Sequence, residues 1–370
     1  MRIDSIDIYH VAMPLVYPFR TAFGDNDVIE SILVRMQSGD AYGWGESAPW
    51  GAPGYSPEFA AGAYLILRDF LAPHLIGKDI STGDELQAAL AHVKGNPFAK
   101  AALDLAWWDL HARLQGEPLW RILGGERQTV DVGADFGVME SIDALVRTME
   151  TALATGFKRV KLKYRPGWDL GMLTAVRTHF PDAIIHIDCN SAYSLDDLPM
   201  FKQLDTFNLA MIEQPLMHDD LIDHAALQAE LSTPLCLDES ITSLDKARQA
   251  IALNACGWVN IKPGRVGGLT NAIAIHNVCK KAGIPCWVGG MLESAVGASH
   301  CLSLATLPNF TYPADIFPSE RFYVPDLAMP PMALSAPSTM TASDTPGCGA
   351  EPSPARLKLQ TLEHAVLPPP

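Results

Sequence analysis

The 370-residue chain lacks several things that would assign it quickly. It has no run of about 18 uninterrupted apolar residues, so nothing in it reads as a membrane span. It has no basic run or patch. Its formal charge of −15 argues against nucleic acid as a partner. It has no CxxC pair. The seven cysteines (Cys189, Cys236, Cys256, Cys279, Cys286, Cys301, Cys348) are odd in number and scattered. They read as buried, reduced thiols of a cytoplasmic protein rather than a disulfide framework. The start, Met1-Arg2-Ile3-Asp4, carries an acid almost at once and lacks the apolar stretch of a signal peptide. Apolar residues, at 48 %, suffice for one large domain plus a smaller one.

What is present is a spacing. Lys163, Asp188, Glu213, Asp238 and Lys262 stand 25, 25, 25 and 24 residues apart. Each closes a short apolar run. A strand plus its return helix takes roughly this many residues, so the spacing reads as consecutive βα units. Strands are expected at 130–134, 159–163, 184–188, 210–213, 235–238, 259–262, 285–288 and 310–312. Helices are expected between them, for example at 142–155, 195–204, 244–253 and 269–282. Eight strands predict a (β/α)8-type barrel over 126–320, an α/β fold with its chemistry at the strand C-termini.

Residues 1–125 do not follow that rhythm. Strands are expected at 3–11 and 29–37, with a loop at 14–24 between them and a second loop at 48–55. Helices are expected at 57–72, 82–92 and 97–114. This predicts an α+β capping domain ahead of the barrel. Residues 321–370 are expected to return to that domain. The stretch 329–354, rich in Pro, Ser, Thr and Gly, is read as loop and short strand or as partly disordered, and the end at Pro368–Pro370 as mobile.

The chemistry follows from residue types. Asp188, Glu213 and Asp238 would converge from three successive strands. Three carboxylates that close cannot all stay ionised unpaired, and a hard divalent cation resolves this. Asn190 and Glu239 lie beside these ligands and are expected to support them. Lys161 and Lys163 share a strand face, with Lys161 one layer deeper. Two neighbouring ammonium groups are expected to lower the pKa of at least one, as a lysine base requires. Lys262 sits four units from Lys163, on the opposite side of a closed barrel. A carbon acid held between them could meet an amine on either face, with the cation stabilising the enolate.

These residues resemble the enolase superfamily, in its muconate-lactonizing-enzyme-like subgroup. The matching segments are Val160-Lys161-Leu162-Lys163, Ile187-Asp188-Cys189-Asn190, Ile212-Glu213-Gln214-Pro215, Leu237-Asp238-Glu239-Ser240 and Asn260-Ile261-Lys262-Pro263. Within the subgroup, Gly289-Gly290-Met291-Leu292-Glu293-Ser294 and Leu307-Pro308-Asn309-Phe310-Thr311 with Asp315 resemble the o-succinylbenzoate synthase / N-succinylamino acid racemase branch. Arg265, three residues after Lys262, fits the racemase-capable members. The resemblance implies Lys163 as the base that removes the α-proton. Lys262 would deliver a proton from the other face or stabilise the enolate as a cation. Asp188, Glu213 and Asp238 would bind Mg²⁺, with Mn²⁺ able to substitute. Gly290, Met291 and Glu293 would lie near the succinyl end. Capping loops carrying Phe19, Thr21 and Phe23, and Trp50 and Tyr55, would close over the ligand.

The implied reaction is dehydration of 2-succinyl-6-hydroxy-2,4-cyclohexadiene-1-carboxylate in menaquinone synthesis, with racemisation of N-succinylamino acids in the same site. The alternative is a dipeptide epimerase or cycloisomerase. Dipeptide epimerases usually carry Asp-x-Asp where this chain has its Gly-Gly-Met-Leu-Glu-Ser segment. A catalytically silent barrel is the third reading, and an intact set of lysines and carboxylates speaks against it. The expected partners are a small carboxylate substrate and further copies of the chain, with neither nucleic acid nor membrane.

Overall fold

The computed structural model of the protein describes residues 1–21 and 24–369. Its first layer is an antiparallel sheet. Strand β1 (Ser5–Thr21) pairs with β2 (Gly24–Ser38), which pairs with β3 (Ala41–Ser47). The expected loop at 14–24 is instead mostly strand. Pairing breaks between Pro14 and Phe19, then resumes with Phe19 opposite Asn26 and Arg20 opposite Asp25. Pro14 and Pro18 lack the N–H a ladder needs, which interrupts the register without ending the hairpin. Phe23 lies outside the described residues, as does Pro370 at the chain's end.

A helix at Pro97–Gln115 lies across this sheet. Proline opens it and Gly116, at φ 70°, closes it. The helix approaches β3 so closely that only glycine fits. A Cβ on Gly43 would lie 2.2 Å from the Leu110 nitrogen, and one on Gly45 2.3 Å from the Ala106 nitrogen. The expected helix at 57–72 is a helix at Ala60–Ile66, a wider turn at Leu67–Leu71 and a tight turn at Ala72–His74. A further helix, Gly83–Leu90, begins with the Thr82 hydroxyl accepting from Glu85 N at 3.1 Å.

The second layer is a curled parallel sheet. Its strands run in chain order: β5 (Ala134–Phe136), β6 (Arg159–Lys163), β7 (Ile184–Asp188), β8 (Ile212–Glu213), β9 (Leu235–Leu237), β10 (Trp258–Ile261) and β11 (Cys286–Val288). Residues 130–134 do not form one strand. β4 (Thr129–Asp131) turns away to pair with β13 (Thr339–Thr341). Nor do residues 310–312 form an eighth strand. Single bridges, Phe310 with Cys286 and Ala314 with Val132, complete the ring there. Gly133 N bonds the Ala314 carbonyl at 3.0 Å and Asp315 N bonds Val288 at 2.9 Å. Pro313, without an N–H, sits in this segment and precludes a regular ladder. The result is a modified (β/α)8 barrel beneath an α+β cap, the α/β fold expected.

The helices between strands include Ile142–Ala154, Leu244–Leu253, Leu269–Ala282 and Ala295–Ala305. Strand residues alternate. Val160, Leu162, Ile185, Ile187, Val259 and Ile261 pack outward under the helices in apolar clusters. Each such side chain stabilises the fold by roughly 1.5–3 kcal/mol on full burial. The residues that alternate with them, Lys161, Lys163, His186, Asp188, Asn260 and Lys262, point inward and are polar.

The C-terminal stretch folds back. Cys348 N and Trp44 N both donate to Asp109, at 2.6 and 2.7 Å, and Met340 and Cys348 are buried. β12 (Ala328–Met329) pairs with β14 (Glu351–Pro352). β15 (Thr361–Leu367) joins the first sheet beside β1. Among the described residues no helix is long and apolar enough to cross a membrane.

Candidate active site

Strands β6 to β10 deliver their polar residues to one end of the ring. Lys163 stands beside Asp188 in register, and Asp188 beside Glu213. All five evenly spaced residues are buried. Lys163 Nζ donates to Asp188 Oδ2 at 2.7 Å and to Asn190 Oδ1 at 2.8 Å. Across the pocket, Lys262 Nζ donates to Asp238 Oδ2 at 2.8 Å and to the Tyr55 hydroxyl at 3.1 Å. Lys161 lies between two carboxylates, 2.9 Å from both Asp188 and Glu213, and 3.2 Å from Asp315.

Arg265 holds the second lysine's surroundings from behind. Its guanidinium pairs with Asp238, donates to the Tyr55 hydroxyl at 2.9 Å, and reaches the carbonyls of Ile241 and Asn260. Tyr55 in turn donates to Asp238 at 3.2 Å. Asn190 Nδ2 donates to Glu239 Oε1 at 3.1 Å, and Asn260 to Glu213 at 2.7 Å.

Electrostatics correct one expectation. Burial pulls Lys161 down, but Asp188, Glu213, Asp315 and Asp135 outweigh it and hold its pKa well above the usual lysine range. Burial also opposes charge on Lys262, yet the neighbouring Tyr55, with Glu239 and Glu213, leaves its pKa raised. For Lys161, the expectation of a lowered value counted ammonium groups against each other and omitted the carboxylates around it. Burial alone would raise Asp188, and Lys161 and Lys163 bring it well below the carboxylate range. Glu239 is pushed up to about 7, first by burial and then by Asp188.

The capping side closes the pocket. Phe19, Trp50 and Tyr55 line it together with Lys161, Lys163, Lys262, Gly290, Met291, Asp135 and Asp315. Phe19 meets Trp50 edge-on at 6.4 Å. The Trp50 indole N–H donates to the Met291 carbonyl at 2.8 Å. Glu293 does not face the pocket. It braces the loop from behind, accepting from Met291 N at 2.7 Å beside Cys301. A larger open groove of about 840 Å³ adjoins at Phe19 and Asp135 and runs along the helix Ile142–Ala154.

Sequence reasoning gave no role to several neighbours. His186 alternates with Asp188, lies opposite Lys161 in register, and sits 3.4 Å from Glu213. Asn260 alternates with Lys262. The same two-residue period that paired Lys161 with Lys163 would have found both. Gln214 carries a positive φ of 38°, which side chains other than glycine adopt at a cost. Its amide fastens β8 to the end of β9, accepting from Asp238 N at 3.0 Å and donating to Ser240 Oγ at 2.7 Å. Asp315 accepts from Arg159 at 2.7 Å as well as facing Lys161.

Among the described residues, no three carboxylate, imidazole or thiol groups stand close enough together to hold one ion. Lys161 bridges Asp188 and Glu213, and Lys262 pairs with Asp238. The donor types still fit a hard cation: three buried carboxylates on consecutive strands, and a buried Glu239 oxygen with no hydrogen bond.

A capped parallel barrel with ionisable groups gathered at its strand ends is the architecture of a barrel enzyme. The chain's N-terminal residues 3–124 match the mandelate racemase / muconate lactonizing enzyme N-terminal domain, and residues 144–356 match the enolase C-terminal domain-like family. The chain belongs to the enolase superfamily. It is 45 % identical to an N-succinylamino acid racemase of Thermus thermophilus, over 88 % of this chain and 89 % of that protein. It is 42 % identical to an o-succinylbenzoate synthase of Geobacillus kaustophilus, over 94 % and 93 %. Its backbone superposes on the crystal structure of an enolase-superfamily member from Listeria innocua with a TM-score of 0.95, at 33 % identity, over 100 % of this chain and 99 % of that one.

Proposed function

We propose that this protein is a Mg²⁺-dependent o-succinylbenzoate synthase that also racemises N-succinylamino acids. The observation that carries the reading is the placement of Lys163 and Lys262 on opposite sides of one buried pocket, with Asp188, Glu213 and Asp238 on the strands between. Similarity to relatives bearing both names supports it.

Asp188, Glu213 and Asp238 would hold the cation, with Asn190, Glu239 and Asn260 orienting them. Mg²⁺ bound there supplies positive charge to the substrate carboxylate, which makes the adjacent C–H acidic enough to ionise. Lys163 takes that α-proton on one face. In racemisation the Lys262 ammonium returns a proton to the opposite face, and the two lysines exchange charge states. In dehydration the electron pair left on carbon expels the β-hydroxyl, which leaves as water with the proton carried by Lys163. Lys262 then stays an ammonium and faces the developing negative charge.

Arg265 and Tyr55 hold Lys262 and Asp238 in place for this. Phe19 and Trp50 exclude water from the pocket, and Gly290 and Met291 bound the end where the acyl group would lie. Glycine is required at Gly289 and Gly290, since a Cβ there would meet Asn260 Oδ1 at 2.4 Å or the Asp315 carbonyl at 2.7 Å. Seven buried, unpaired cysteines support a cytoplasmic setting. We take the protein to work as a homo-oligomer.

The test is Mg²⁺-dependent loss of absorbance of 2-succinyl-6-hydroxy-2,4-cyclohexadiene-1-carboxylate, run beside polarimetry of N-succinylamino acids. EDTA-sensitive turnover in both is expected. A folded, metal-loaded protein inactive on both substrates would overturn the assignment.

A further inference from the structure

The pocket loop after β11 is gripped from the cap at two points, and one of them has no part in the chemistry above. Glu46 lies on β3, in the capping layer, and is 1 % exposed. Its carboxylate accepts four hydrogen bonds. Oε1 takes Ser31 Oγ at 3.0 Å and Ser294 N at 3.0 Å. Oε2 takes Ser294 Oγ at 2.5 Å and Gly297 N at 2.9 Å. Three of the four donors belong to the barrel. They lie at the end of the 289–294 loop and in the first turn of the helix Ala295–Ala305, whose first N–H groups have no partner within the helix and favour an anion.

Four residues on, Trp50 holds the same loop at Met291. Between the two grips lies Leu292, held at φ 59°, where a leucine is strained. Its carbonyl accepts from Tyr323 at 2.6 Å. A strained loop keeps its shape only when its surroundings over-determine it. Gly297 shows how tight the junction is, since a Cβ there would lie 3.2 Å from Glu46 Oε2.

We infer that Glu46 is a positioning residue for substrate recognition: reaching across from the cap, it anchors the Ser294 end of the 289–294 loop and so sets where Gly290 and Met291 stand in the pocket. This rests on the reading that the loop meets the substrate's acyl end. Glu46 touches neither lysine. Its loss should therefore loosen binding and leave proton transfer largely intact.

The test uses Glu46→Ala and Glu46→Gln in the full chain, with Ser31→Ala as a control that removes the cap-side hydroxyl shared between Glu46 and the Ser47 carbonyl and leaves the three barrel donors in place. Amide hydrogen exchange without substrate reads the anchor directly. Residues 289–297 should exchange at least tenfold faster in Glu46→Ala and less so in Glu46→Gln, with the helix Pro97–Gln115 unchanged. KM for an N-succinylamino acid should rise about tenfold in Glu46→Ala, and less in Glu46→Gln, with kcat within threefold. Ser31→Ala should alter neither.

Unchanged exchange at 289–297 would overturn the anchor. Faster exchange with unchanged KM would overturn its role in recognition, as would an equal rise in KM from Ser31→Ala. If the wild-type protein turns over neither succinyl substrate, the proposed function fails, while the exchange measurement still decides whether Glu46 holds the loop.

Discussion

The two lysines of the pocket are held differently. Among the described residues, the hydrogen-bond partners of Lys163 all come from the barrel: Asp188 lies on the adjacent strand and Asn190 on the turn after it. Lys262 is held jointly: Asp238 comes from the barrel, and the Tyr55 hydroxyl comes down from the cap. The first base is therefore finished as soon as the strands pair. The second is finished only when the cap is seated. A pocket built this way couples one face of its chemistry to the docking of a separate layer and leaves the other face independent of it.

Breaking both sides at once should have the largest effect. Chelation of the metal should abolish dehydration and racemisation together, and added Mg²⁺ should restore both in the same titration. Next, Lys163→Ala should lower both reactions by roughly 10³-fold or more, with the circular dichroism spectrum unchanged. Near-full turnover in that variant would refute the role given to Lys163.

Lys262→Ala should separate the two sides. Racemisation should fall by a comparable factor. Solvent deuterium exchange into the one enantiomer whose α-proton faces Lys163 should continue. Tyr55→Phe should sharpen the contrast further, because it removes the cap hydroxyl that contacts Lys262, Asp238 and Arg265. Exchange on the Lys262 side should slow roughly tenfold, the scale of one hydrogen bond to a charged group, with the Lys163 side within about twofold.

The smallest effect concerns the seam between the layers. Asp104, on the long cap helix, is buried and accepts from Thr270 N at 3.1 Å and Gln87 Nε2 at 2.8 Å. Burial pushes its pKa up to about 6. A carboxyl raised in the folded state binds its proton more tightly there than in the unfolded chain. Its contribution is full below the unfolded value near 4 and is lost as pH rises through about 6. Stability should therefore fall by up to roughly 3 kcal/mol across that window. Asp104→Asn should flatten the fall, as read from denaturant midpoints at pH 4.5 and 7.

Much of the Lys163 side was legible in the sequence, and less of the Lys262 side. Each barrel residue ends an apolar run, and the regular length of a βα unit spaces those ends evenly. Lys163, Asp188, Glu213, Asp238 and Lys262 announce themselves by that rhythm. The contact between Tyr55 and Lys262 has no such signal, because 207 residues separate them and only tertiary packing joins them. Glu46 was silent for the same reason: a glutamate closing a strand carries no mark of the helix it will meet. The hairpin through Pro14 and Pro18 was misread as a loop because proline usually ends pairing, whereas here pairing resumes beyond the break. Residues 310–312 were misread as a regular strand because their apolar character outweighed the effect of the adjacent Pro313.

The register of β15 against β1 has a consequence for biosynthesis. Leu367 pairs with Ile6, so the strand that covers the open edge of β1 is made after more than 350 intervening residues. At a ribosomal rate of roughly 5–20 residues per second, β1 waits on the order of 20–70 s for its neighbour. During that interval the nascent sheet exposes an unpaired edge to other chains, a recognised route to aggregation. Yield in the cell should thus depend on what shields that edge during translation as well as on the stability of the finished fold.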